Sequence, residues 1–111
     1  MHLVVLVTCP SDSAERIAIE VLRLRLAACA SIIQRVRSRY WWKGKLDSAE
    51  ESLLLIKTRK EHFEKLERTI RRIHPYEVPE IIGLRVVKGS RPYLGWITKE
   101  TPLRTNKMVR R

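Results

Sequence analysis

The sequence predicts an α+β sandwich of β-α-β-β-α-β order, the split βαβ unit of ferredoxin-like domains. Three observations carry that expectation. The apolar period changes along the chain in the order strand, helix, strand, strand, helix, strand. A tight turn, Lys43-Gly44-Lys45, joins the two middle strands into a hairpin. The 111 residues fit one domain, expected over 1–103, with a basic tail at 104–111.

Each element has its own signal. Leu3 to Val7 is a five-residue apolar run, read as the first strand. Thr8-Cys9-Pro10-Ser11-Asp12 reads as a turn-rich loop. Ala14, Ile17, Ala18, Val21 and Leu22 then fall at helical spacing, and Asp12 with Glu15 matches a capping box, so a helix is expected from about Asp12 to Ala28. In the next segment Ile32, Val36, Tyr40 and Trp42 share one parity while Arg35, Arg37 and Arg39 share the other, which is the alternation of a strand. After the turn, Ser52 to Lys57 is a continuous apolar run, as expected of a central strand covered on both faces.

Thr58 with Glu61 suggests a second capping box. Phe63, Leu66, Ile70 and Ile73 mark the buried stripe of a helix that must stop before Pro75. Pro75 and Pro79 bracket a stiff extended segment. Glu80 to Val87 reads as the last strand, followed by a short helix around Pro92 to Lys99.

The hairpin is too long for the helices beside it. A second strand from Cys29 to Trp42 would run ~46 Å, against ~25 Å for the preceding helix. Its far half carries Tyr40, Trp41 and Trp42, three of the chain's six Trp and Tyr residues. Aromatics at that density left in water mark an interface, so the extended hairpin arm is expected to pack on a neighbouring copy.

Composition narrows the function classes. Lys and Arg number 23 against 12 Asp and Glu, a net charge of +11, while 44% of residues are hydrophobic, enough for a modest core and too many for a disordered basic chain. The charge raises the question of a polyanion partner. Four of the basic residues lie in the tail, and Glu61, Glu64 and Glu67 offer helical partners such as Lys65 and Arg68. With no nucleic-acid signature beside them, a nucleic-acid partner is not expected. The N-terminal apolar run is too short for a secretion signal or a membrane span, so no membrane insertion and a cytoplasmic location are expected. Cys9 and Cys29 form no CxxC pair, and Cys9, beside Pro10, is read as the more exposed thiol.

Several strings together are more specific than their physics. Thr8-x-Pro10, Arg25-Leu26-Ala27-Ala28-Cys29, Tyr40-Trp41-Trp42-Lys43-Gly44-Lys45, Leu55-Ile56-Lys57-Thr58, His74 through Ile82 and Tyr93-Leu94-x-Trp96-Ile97 resemble the CutA divalent-cation tolerance family over about residues 3–101. The resemblance implies a ferredoxin-like, PII-like homotrimer, tolerance to divalent metals with copper binding, and no enzymatic reaction or obligatory cofactor. Ser31, where many relatives carry Asn, and the basic tail depart from the family pattern.

It also points to His74, Glu77 and Cys29 as metal ligands, and imidazole, carboxylate and thiolate together suit Cu or Zn. One His and one carboxylate fall short of a full ligand set, which neighbouring subunits would have to complete. The alternative places His74 at the end of the second helix, Glu77 in an ion pair and Cys29 as a small buried hydrophobe. Lys57, Tyr76, Tyr93 and Trp96 are candidates for an intersubunit cleft, which would suit a PII-like sensor of small ligands instead; their alternative is interface packing. Lys57, ending an apolar strand, needs a partner, with Glu77 and Glu80 as candidates. His2 and His62 are expected to be solvated.

Overall fold

In the computed structural model, which describes residues 1–103, strands β1 (His2–Cys9), β2 (Cys29–Trp42), β3 (Lys45–Arg59) and β4 (Ile81–Arg85) alternate with helices α1 (Ser11–Arg23), α2 (Phe63–Ile73) and α3 (Arg91–Glu100). The tail expected at 104–111 lies outside the described residues. The sheet order is β2-β3-β1-β4, antiparallel throughout, which is the ferredoxin-like topology expected.

The core lies on one face of this sheet. Val5, Val7 and Cys9 of β1 and Leu54 and Ile56 of β3 are buried there under Ile17 and Val21 of α1 and Leu66 and Ile70 of α2. The intervening residues, Val4, Leu6, Leu53 and Leu55, point the other way and are half-buried. No helix of the chain covers most of that second face. The central strand β3 is therefore apolar on both sides but covered by its own chain on one.

Helix α1 stops earlier than the expected Ala28. Its C-terminus closes in a Schellman arrangement: Leu26 N–H donates to Val21 O at 3.0 Å and Arg25 N–H to Leu22 O at 3.0 Å, with Arg25 left-handed at φ 59°. The conformation normally favours glycine. Here the Arg25 side chain is tied across to Glu100, with Nη1 at 2.6 Å from Oε1 and 3.3 Å from the backbone O. Neither expected capping box forms. Pro10 takes the cap position of α1, and Thr58 lies in β3 with its hydroxyl donating to Leu26 O at 2.6 Å, while a 3₁₀ turn at Lys60–His62 leads into α2. On α2 the ion pair is Glu67 with Arg71 at 3.9 Å, and the expected Glu61–Lys65 and Glu64–Arg68 pairs are not formed.

The parity of β2 breaks partway along. Ile33 pairs with Leu53 and Val36 with Glu51, so two residues of β2 oppose one of β3 at a bulge whose Arg35 is left-handed at φ 65°. Each side chain beyond the bulge changes face. Ile32 packs toward the helices, whereas Val36, Ser38, Tyr40 and Trp42 share the open face, and the single stripe expected of these residues is corrected accordingly. At the tip, Lys43 (φ 51°) and Gly44 (φ 79°) form a two-residue turn between Trp42 and Lys45, as the right-handed strand twist requires. The arm gives the chain its long axis of 49 Å. Trp41 at its end is 70% exposed and Leu46 68%.

Candidate functional site

The bulge, the end of β1 and the proline-stiffened segment after α2 meet at the root of the arm. Glu51 is the first buried residue of β3 and lies on the open face, yet it is only 4% exposed. Ser38, diagonal to it on β2, donates to Oε1 at 2.6 Å, and the Tyr76 hydroxyl donates to Oε2 at 2.7 Å. Burial and then Glu51 push the Tyr76 hydroxyl well above the ordinary phenol range. Burial, with Glu51 and Asp12 behind it, pushes the Cys9 thiol up to about 11. Cys9 is thus a buried core thiol at the end of β1, not the exposed loop thiol expected.

His74 positions this segment. It is the cap residue of α2, 7% exposed, and both ring nitrogens are engaged. Tyr76 N–H donates to Nδ1 at 3.1 Å, which places the ring proton on Nε2, and Nε2 stands 2.8 Å from Thr8 O as its donor. The imidazole therefore ties the end of α2 to the end of β1. Thr8 Oγ1 also donates to Glu80 Oε1 at 3.4 Å, closing the segment against β1 from its other end. Between this segment and the arm lies a cavity of about 650 Å³, walled by Tyr40, Trp41 and Trp42 on one side and by Pro75 to Val78 on the other.

The remaining candidates gather elsewhere. Cys29 pairs with Lys57 across β2 and β3, six residues along β3 from Glu51, or ~20 Å at strand rise. The Lys57 ammonium donates to Ser31 Oγ at 2.8 Å and reaches Cys29 Sγ at 3.8 Å, so hydroxyl and thiol take the place of the Glu77 or Glu80 partner expected. Ser31, the departure from the family pattern, is the acceptor that receives it. Tyr93, stacked at 5.5 Å on Trp96, is held above its ordinary range by burial and by the neighbouring Cys29. Within one chain the expected cleft residues thus form two groups: Lys57, Tyr93 and Trp96 with Cys29, and Tyr76 alone at the root of the arm.

The three metal candidates are divided in the same way. Cys29 belongs to the first group and His74 and Glu77 to the second. Among the described residues no group of three or more His, Cys, Asp or Glu is placed to hold an ion. Glu77 is exposed and Cys29 half-buried, whereas His74 offers no lone pair without giving up the Tyr76 amide. A closed ligand set within a single chain does not fit these residues.

Two histidines also take structural roles. His62, expected in solvent, is buried with Nε2 at 2.9 Å from Thr101 O, and His2 contacts Thr98 Oγ1 at 2.8 Å, so both help seat α3. Sequence reading missed Glu51 and Ser38. Glu51 follows Glu50 at the edge of an apolar run and reads as a solvated strand end; only the bulge brings Ser38 to it.

No helix among the described residues is long and apolar enough to cross a membrane. The family model described as CutA1 divalent ion tolerance protein matches residues 3–100. The "Divalent-cation tolerance protein CutA" of Thermus thermophilus is 42% identical over 102 residues, covering 91% of this chain and 99% of that relative. Its solved structure superposes with a TM-score of 0.88 over 92% of this chain and 100% of that one. The "Protein CutA homolog" of Xenopus laevis is 44% identical over 97 residues, 86% of this chain, and the chain spans 64% of that relative's length. With the sheet order, the hairpin arm and the His74-to-Ile82 segment in place, these matches establish that the chain belongs to the CutA1 divalent ion tolerance family.

Proposed function

We propose that this chain serves divalent-cation tolerance without catalysis, as a homotrimer joined through the open sheet face and the arm. The carrying observation is apolar surface of one continuous origin. Ile33, Ile82 and Leu84 on or beside the open face are 45%, 48% and 47% exposed, and Trp41 and Leu46 extend the same surface to the tip of the arm. Such a surface on a small basic chain is covered in solution by another copy. Light scattering on the purified chain is expected to give three times the 13.1 kDa of one chain. A monomer at micromolar concentration rejects the reading.

The metal reading follows from assembly. Cys29 supplies a soft thiolate and Glu77 an accessible carboxylate, and a set of three or four ligands for Cu or Zn requires contributions from more than one chain. His74, locked by two hydrogen bonds, acts in this reading as a ligand only when its Nδ1 bond opens. Calorimetric titration with Cu(II) and Zn(II) should show tight binding weakened at least tenfold by Cys29→Ser or Glu77→Gln. Binding of micromolar strength untouched by these and by His74→Ala removes the assignment.

A further inference from the structure

The cavity at the root of the arm has no part in the metal reading. Its charge runs against the chain's own. Asp47, Glu51, Glu77 and Glu80 line it, four of the chain's 12 acidic residues, against Arg39 alone of 23 Lys and Arg. Four aromatic rings, those of Tyr40, Trp41, Trp42 and Tyr76, share the same walls.

Glu51 is the second observation. Its carboxylate is buried and its two hydrogen bonds come from neutral hydroxyls, Ser38 and Tyr76. Among the described residues no Lys, Arg or His forms an ion pair with it. A buried carboxylate without a counter-charge is costly, and a cation entering the cavity would relieve it. The walls already show how such a cation is held: the Lys43 ammonium stands 5.7 Å from the centre of the Trp42 ring.

The geometry separates an organic cation from a metal ion. A dehydrated divalent ion needs several oxygens converging at about 2.0–2.6 Å. These carboxylates do not converge, since no three of them are grouped around one point. Carboxylates distributed around about 650 Å³, with aromatic faces between them, suit a ligand whose positive nitrogens are separated by methylene groups.

We propose that this cavity is a binding site for a linear polyamine. Its ammonium groups pair with Glu51 deep in the cavity and Glu77 at the rim, and its methylenes lie against Trp42 and Tyr40. All the walls come from one chain, so the site does not rest on the metal reading. The +11 charge of the chain disfavours adventitious binding of a polycation, which makes any saturable uptake a local event.

Calorimetric titration of the full chain with spermidine, at fixed ionic strength and with magnesium chloride as the charge control, tests the site. One saturable site per chain is expected, with no matching heat from magnesium. Glu51→Gln should weaken binding about tenfold and Trp42→Ala three- to tenfold. Should Glu51→Gln fail to fold, Glu77→Gln at the exposed rim carries the test, with a loss of about threefold. Absence of saturable heat, equal binding of magnesium, or affinity unmoved by both Glu77→Gln and Trp42→Ala overturns the proposal.

Discussion

On the helix side of the sheet, Val5, Val7, Leu54 and Ile56 have no exposure at all, while on the opposite side Ile82 and Leu84 stay nearly half exposed and the arm carries Trp41 into solvent. The same strands supply both sets, because alternate residues of a strand serve opposite faces. One face is finished within the chain by α1 and α2. The other has the composition of a core without its cover, and the bulge at Arg35 sends Tyr40 and Trp42 to that side as well. A single chain therefore carries a folding surface and an assembling surface back to back. Substitutions should separate the two by where their cost is read.

The largest effect belongs to the finished face. Ile56→Ala removes a side chain fully enclosed between α1 and α2 and should cost about 3–4 kcal/mol of stability, seen as a lower urea midpoint with an unchanged slope. Trp41→Ala at the tip should leave the urea midpoint of the dissociated chain nearly unmoved and instead shift the oligomer distribution toward smaller species. If both substitutions moved folding and assembly together, the division between faces would not hold.

Next in size is a pH effect inside the same core. The Cys9 thiol ionises near 9 when unfolded and about 11 when folded, so the folded chain holds its proton longer. Between those values the unfolded state binds fewer protons than the folded one, and stability falls as pH rises. The loss approaches about 2–3 kcal/mol by pH 11 and is absent below pH 9. Denaturant midpoints from pH 8 to 11 should therefore slope downward, and Cys9→Ala should flatten the slope.

How much of this was legible in the sequence depends on whether the signal was local. Element order, the Lys43-Gly44 turn and the overhang of the arm were all written in period, turn residues and length. The faces of β2 were not, because a bulge adds one residue without any glycine to announce it, and every side chain beyond Arg35 moves across the sheet. The helix caps were misread for a related reason: Thr58 finds a better acceptor in Leu26 O, 32 residues away, than in the turn beside it. For the site, His74 and Tyr76 were visible as residues, but their roles depend on Thr8 and Glu51, contacts across 66 and 25 positions that no local pattern encodes.

A third prediction returns to the arm's tip. Gly44 holds φ 79° with open space around its missing side chain, so Gly44→Ala meets no neighbour and pays only for the left-handed backbone. The expected loss is about 1 kcal/mol, read as a shift in thermal midpoint, and a shift near zero would mean the turn relaxes to another type.

The smallest effect compares one arginine in the body with one in the arm. Arg25 and Arg35 are both left-handed, at φ 59° and 65°, a conformation that costs a side-chain-bearing residue about 1 kcal/mol relative to glycine. Arg25 is held there by Glu100, whereas Arg35 is exposed and makes no hydrogen bond or ion pair among the described residues. Glycine relieves the backbone at both positions but removes an anchor only at the first. Arg35→Gly should therefore raise stability by about 0.5 kcal/mol, while Arg25→Gly gains nothing, because losing the exposed Glu100 pair offsets the relief. Equal gains at both sites, measured by denaturant midpoints under identical salt, would show that the Glu100 contact contributes nothing to holding the end of α1.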